Sequence, residues 1–265
     1  MSTGGEGMLN IERVDYILQE LRERKFVSVN ELARKHFVSP STIRRDLAVL
    51  EKEGLVRRSY GGATLIEHPS SEIPFQVRKN EHQAEKDVIC RLAAELIRDD
   101  QFILLDSTST VAHLVKHLGG KKNLKIMTTS PQIALDCIDQ LASVQVYCTG
   151  GWMNSFLRGF VGEAARQRIA EFRPDILFFS ARSLSLDDGI TDVNEEDVFM
   201  KQQMLESSRK VVFLADHSKF DQTSYRVICD FDALDCLITD RRPSDMWLHS
   251  LESAGVEVIY PGSQK

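Results

Sequence analysis

Arg44 and Arg45 stand side by side in the run SPSTIRRDLAVLEKEGLVRRSYGG, from Ser39 to Gly62. Adjacent guanidinium groups can fork onto guanine edges or grip phosphates. Ser41 and Thr42 add hydroxyls one turn earlier, at the end of a helix that would meet base edges. A second basic group, Arg57, Arg58 and Tyr60, can hold phosphate or reach a minor groove. Farther along, a different chemistry recurs. Asp106, Ser107, Thr108, Ser109 and Thr110 are contiguous, followed by Thr129-Ser130, Gly150-Gly151, and Asp216 with Lys219. Hydroxyls, glycines, a carboxylate and a lysine suit a small phosphorylated polyol.

The first set needs a helix and a hairpin to present it. Ser39 can cap a helix, and Pro40 suits its first position because no N–H is needed there. Ile43, Leu47 and Leu50 form one apolar stripe, which leaves Ser41, Arg44, Arg45 and Ala48 on the opposite face. Gly54 is expected to stop this helix, with Leu55 folding back on it. Ser28 and Glu31 have capping-box spacing for a preceding helix. Phe37 and Val38 make the short connection a helix-turn-helix needs. Ile11, Val14, Ile17, Leu18 and Leu21 mark an earlier helix that can cover both. Leu55–Tyr60 and Ala63–Ile66 read as strands around a Gly61-Gly62 turn. The sum is a winged helix-turn-helix.

The second set needs a parallel sheet. From Ala84 onward, apolar runs of strand length alternate with helical segments. The strands are expected at Phe102–Asp106, Leu124–Thr129, Val144–Thr149, Ile176–Ala181, Lys210–Asp216, Cys236–Thr239 and Val256–Tyr260. Helices are expected around 84–98, 109–118, 131–141, 162–172, 195–208 and 244–253. Such alternation indicates a doubly wound, mostly parallel α/β sheet, whose ligands sit at the carboxyl ends of strands. The hydroxyls, glycines, Asp216 and Lys219 all fall at those ends. Each also has a plainer use: N-caps for the hydroxyls, a tight turn for Gly150-Gly151, a surface ion pair for Asp216 and Lys219.

The chain has 265 residues, 42% hydrophobic and 27% charged, enough for two domains. They are expected at 1–66 and 84–265, with 67–83 as a linker carrying Pro69, Ser70, Ser71 and Pro74. From Lys25 to Arg58 the charge is +4 in a chain of net charge −6, leaving −10 for the remainder. A basic island on an acidic chain marks a local phosphate-binding surface. No apolar run approaches the roughly 20 residues that span a bilayer, and the N-terminus lacks a signal-peptide pattern. Five cysteines without Cys-x-x-Cys spacing indicate neither disulfides nor zinc, and a reduced, cytoplasmic protein. His113 and His117 lack a third ligand, so no metal or cofactor is expected.

The run Val29–Ala63 resembles the DNA-binding signature of DeoR-family transcription regulators. Val29–Ala33 matches the second helix, Ser39–Leu47 the recognition helix and Arg58–Ala63 the wing. The resemblance continues from Lys86 to Val258 through Leu105–Thr110, Thr128–Ser130, Gly150-Gly151, Val161-Gly162, Leu214–Phe220 and Ile238–Asp240. It implies a sensor domain like sugar-phosphate isomerases that binds a phosphorylated sugar. Thr108, Ser180 and Ser183 stand where the family commonly has glycine, and Thr129 where it has asparagine. The Ser109-Thr110 ending is similar to the branch controlling deoxyhexose operons such as fucose. The resemblance therefore implies a repressor of a carbohydrate operon, binding double-stranded DNA as a dimer or higher homo-oligomer. The alternative is a sugar-phosphate isomerase-like enzyme fused to a DNA-binding domain, with Asp106, Glu163 and Asp216 as its acid/base groups. A winged helix that only scaffolds other proteins is a third reading.

Overall fold

The computed structural model describes residues 13–14, 16–18, 20–21, 24–52, 56–65 and 75–263. The chain divides into two compact units between Asn80 and Glu81. Of the features expected from the sequence, Ile11, Gly54, Leu55, Ile66 and residues 67–74 of the connection lie outside the described residues.

In the first unit, the described residues from 13 to 24 are helical (α1). Then come β1 (Phe26–Ser28), α2 (Val29–Lys35), α3 (Pro40–Lys52), β2 (Val56–Ser59), β3 (Gly62–Leu65) and α4 (Phe75–Asn80). The strands form an antiparallel sheet in the order β1-β3-β2. Ile43, Leu47 and Leu50 are fully buried, with Ile17, Leu21, Leu32 and Val56 in the same core. The apolar stripe of α3 thus faces inward, and its position turns Arg44 and Arg45 outward. Val77 of α4 joins that core.

Two local expectations need correction. Ser28 makes no side-chain cap on α2. It is instead the last residue of β1, paired with Gly62, and Glu31 is drawn to Arg24. Gly62 belongs to β3 and not to the hairpin turn. A Cβ there would lie 2.2 Å from the Val27 carbonyl oxygen, so glycine is required by the close approach of β1. Gly61, with φ +86°, supplies the turn.

The second unit begins with α5 (Gln83–Glu95) and β4 (Phe102–Leu105). Next are α6 (Ser109–Ala112), which runs on as a 3₁₀ turn, β5 (Leu124–Thr128), α7 (Pro131–Gln140) and β6 (Val144–Cys148). The hairpin β7 (Trp152–Asn154) and β8 (Gly159–Val161) precedes α8 (Glu163–Ala170) and β9 (Ile176–Phe179). Then follow β10 (Ser183–Ser185), β11 (Gly189–Asp192), α9 (Glu195–Ser207), β12 (Val211–Leu214) and β13 (Arg226–Cys229). The unit ends with β14 (Cys236–Ile238), α10 (Asp245–Ser253) and β15 (Glu257–Ile259).

Seven strands make one parallel sheet in the order β15-β14-β12-β9-β4-β5-β6. These are the seven apolar runs of the sequence. Their central members are apolar throughout because both faces are covered, as at Phe178, Phe179 and Phe213, all fully buried. A small antiparallel sheet, β10-β11-β13, and the β7-β8 hairpin are additions that the sequence pattern does not announce, with three or four residues per strand.

Candidate nucleic-acid interface and ligand site

Ser39 caps α3: its Oγ accepts the Thr42 N–H at 3.2 Å. The same oxygen lies 2.6 Å from the Ser41 hydroxyl and 2.9 Å from that of Thr42. Arg44 and Arg45 are exposed on the outer face of α3. Between this face and the core, Asp46 is buried and paired with Arg13, Nε to Oδ2 at 2.6 Å and Nη2 to Oδ1 at 3.2 Å. That bidentate pair ties α3 to α1 and sets the rotation at which the arginines are presented. No periodicity in the sequence announces it, because the partners are 33 positions apart.

On the hairpin, Arg57 is exposed and Tyr60 stands fully in solvent at the tip. Arg58 is exposed but engaged. Its backbone N–H donates to Glu51 Oε1 at 3.1 Å and its Nε to Oε2 at 2.6 Å. These bonds from Arg58 hold the Glu51 carboxyl below its ordinary value. Arg58 therefore fastens the hairpin to α3, while Arg44, Arg45, Arg57 and Tyr60 project from the unit.

In the second unit, Asp106 follows β4 and is buried. Its Oδ1 accepts the Thr108 backbone N–H at 2.8 Å and the Thr108 hydroxyl at 2.6 Å, and its Oδ2 accepts the Ser180 N–H at 2.9 Å. Burial pushes the carboxyl up to about 6, against the pull of the Lys201 charge and of the Thr108 and Ser180 hydrogen bonds. Thr108 in turn caps α6 through the Val111 N–H at 3.4 Å. Ser107, Ser109 and Thr110 are buried beside it, and Lys86 of α5 donates to the Ser109 hydroxyl at 3.3 Å. Ser109 also accepts at its carbonyl from the His113 ring, Nδ1 to O at 2.8 Å.

The neighbouring tips are built alike. Thr129 is buried, and its carbonyl accepts the Phe160 N–H at 2.7 Å. Ser130 caps α7 through the Ile133 N–H at 3.3 Å. Gly150 and Gly151 both have positive φ, +68° and +103°, and a Cβ on Gly151 would meet the Val161 carbonyl oxygen at 2.6 Å. The β7-β8 hairpin thus lies against the β4, β5 and β6 tips. Gly159 brings it so close that a Cβ would sit 2.7 Å from Ser107 Oγ.

Asp216 follows β12 and is buried, its Oδ1 accepting the Ser218 N–H at 3.0 Å. Burial alone would raise its carboxyl, but the Lys219 charge and the Ser218 hydrogen bonds outweigh this and hold it below its ordinary value. Lys219 Nζ donates to the Ala181 carbonyl at 2.8 Å. Ser180 and Ala181, at the β9 tip, therefore bridge the site: Asp106 on one side and Lys219 on the other. Neither residue stands out in the sequence as a site residue. The β6 tip, with Gly150-Gly151, is the farthest from Asp216 and Lys219 in the strand order.

Sequence reasoning also missed Lys201. It is fully buried, and Nζ donates to Asp192 Oδ2 at 2.7 Å and Asp197 Oδ2 at 2.6 Å. Burial alone would lower its ammonium, but Asp192, Asp197 and Asp106 outweigh this and hold it above its ordinary value. The spacing of Asp197 and Lys201 is that of a common exposed helix pair, so nothing in the sequence marks it as internal. Among the described residues, no group of three or more His, Cys, Asp or Glu could hold a metal ion. No described helix is long and apolar enough to cross a membrane.

A winged helix-turn-helix with outward arginines, joined to a parallel α/β unit with polar strand tips, defines a two-part DNA-binding regulator. Known proteins share both parts. The DeoR-like helix-turn-helix domain matches residues 13–68, and the DeoR C terminal sensor domain matches residues 81–241. The chain belongs to the DeoR family of transcriptional regulators. It is 32% identical over 254 residues to a putative aga operon transcriptional repressor of Escherichia coli O157:H7, covering 95% of this chain and 94% of that protein. It is 31% identical over 252 residues to the HTH-type transcriptional repressor GlcR of Bacillus subtilis, covering 95% and 96%. Ribose 5 phosphate isomerase A from Neisseria gonorrhoeae aligns with 51% of this chain and 52% of its own, at 17% identity and a TM-score of 0.38.

Proposed function

We propose that this chain is a cytoplasmic repressor of a carbohydrate-metabolism operon, and that a small phosphorylated sugar controls its grip on DNA. The observation that carries the DNA half is the exposed pair Arg44 and Arg45, held outward on α3 by the buried stripe and by Asp46. Ser41 and Thr42 meet the base edges with them. Arg57 and Tyr60 take the backbone or minor groove, and Arg58 joins them from its seat on Glu51. One winged helix makes few contacts, so a homo-oligomer reads repeated half-sites.

The effector lies across the strand tips. Asp106, Ser107, Thr108, Ser109 and Thr110 take one end, with Thr129, Ser130, Gly150 and Gly151 beside them. Lys219, poised by Asp216, is the charge partner. Binding changes DNA affinity only as far as the effector prefers one arrangement of the protein over another. The chain acts by binding and not by turnover. Both oxygens of Asp106 are already occupied by donors, and Glu163 is paired with Arg166 and Gln167 at the surface.

A thermal-shift screen of pentose and hexose phosphates tests the sensor, because a ligand stabilises the state it binds. The expected result is a rise in melting temperature for one phosphorylated sugar and none for its unphosphorylated parent. Lys219→Ala is expected to abolish that rise while operator binding without effector stays intact. A variant that responds as wild type removes Lys219 from the site.

A further inference from the structure

The seven-stranded sheet ends on β6, whose five residues, Val144-Gln145-Val146-Tyr147-Cys148, carry no charge, proline or glycine. An uncharged outer strand of this length is a template for pairing with another chain unless something blunts it. The other outer strands of this unit are shorter, and two of them carry charges. β15 has three residues with Glu257, and β13 has four with Arg226, which is paired to Glu195. On β6, Gln145 and Cys148 are exposed and the rest half-buried. The helix that packs on this strand, α7, leaves Leu135 56% and Ile138 61% exposed. Exposed apolar side chains thus occur on the helix that packs on this outer strand as well as on the strand itself.

We infer that β6 pairs antiparallel with β6 of a second copy of this chain, about a two-fold axis that passes midway between the two copies of Val146. Hydrogen-bond direction carries the register. The Thr149 N–H donates inward to the Thr128 carbonyl. By the alternation of a strand, Tyr147 and Gln145 also bond inward to β5, so the backbone groups of Val144, Val146 and Cys148 face outward. An antiparallel partner then sets Val146 opposite the partner's Val146 and Val144 opposite the partner's Cys148, each a hydrogen-bonded pair. Gln145 falls opposite the partner's Tyr147. No like charges meet in this register. A two-fold axis normal to the sheet keeps both α7 helices on the same face, beside one another. This pairing specifies the surface for the homo-oligomer proposed above, and it does not depend on the effector assignment.

Sedimentation of the full chain without DNA or effector tests it. The wild type is expected at an even multiple of the chain mass, and Val146→Lys at half of the wild-type value. Ile138→Glu, on the exposed helix surface, weakens association without touching the sheet, and near-UV circular dichroism verifies that both variants fold. In a Cys148→Ser background, Val146→Cys places two thiols across the axis, at a separation of about 5.5 Å between Cα atoms. Mild oxidation is expected to give a covalent dimer on a non-reducing gel, and Gln145→Cys, in the same background, little or none. A monomeric wild type, or folded variants that keep the wild-type mass, would overturn the inference. Operator binding measured on the same samples separates that outcome from failure of the regulator reading.

Discussion

The Asp106 carboxylate accepts the Ser180 backbone N–H at 2.9 Å, joining the tip of β4 to the tip of β9. The next residue, Ala181, accepts from Lys219. Three strand tips are thus linked through one dipeptide. The carboxylate at the centre of this link is buried, which makes it sensitive to pH.

In the folded chain the Asp106 carboxyl titrates at about 6, against an ordinary 3.8. Between those values the folded state binds more protons than the unfolded state. Stability contributed by this group therefore falls as pH rises through that window, by up to about 3 kcal/mol. Urea unfolding of wild type and Asp106→Asn at pH 4.5 and 6.5 checks this. The difference in stability between the two proteins is expected to shift toward Asp106→Asn at the higher pH. A pH-independent difference would contradict it.

Removing Arg13 leaves the Asp46 carboxylate buried without its bidentate partner. Arg13→Ala is expected to destabilise the first unit by about 3 kcal/mol. The double variant Arg13→Ala/Asp46→Leu is expected to recover part of that loss, because it removes the stranded charge. Denaturant unfolding of the three proteins tests the pair, and equal losses for single and double variants would speak against it.

The two hairpin glycines separate by mechanism. Gly62→Ala drives a Cβ to 2.2 Å from a backbone oxygen, so β1 and β3 must part. Gly61→Ala meets no atom within 4 Å and suffers only its positive φ, a cost of about 1 kcal/mol. Gly62→Ala is expected to lower the melting temperature of the first unit far more than Gly61→Ala. A reversed order would refute the close approach of β1 to β3.

The elements that the sequence reveals are those with a repeating pattern. Ile43, Leu47 and Leu50 recur at helical spacing and are buried together. Runs such as Ile176–Phe179 and Val211–Leu214 are apolar throughout because sheet neighbours and helices cover them. The short strands β7, β8, β10, β11 and β13 escape notice because three or four residues of mixed polarity carry no usable period. At the candidate ligand site, the hydroxyl clusters are visible as types and spacing, but the bridge through Ser180 and Ala181 is backbone chemistry, which side-chain identity does not encode. The Arg13–Asp46 pair and the internal Lys201 are hidden for a related reason. Both depend on which elements meet, and one lysine or aspartate in a helix looks like another until they do.

The measurement that bears most directly on the regulator reading is an anisotropy titration of the full chain against its operator DNA. Arg44→Ala and Arg45→Ala are compared with wild type at several salt concentrations. At least one variant is expected to lose about 1–3 kcal/mol of specific binding and to relax base preference. An arginine that holds only phosphate would, on replacement, weaken binding to all sequences alike and flatten the salt dependence. Wild-type affinity and salt dependence retained in both variants would contradict the assignment of α3 as the helix that reads DNA.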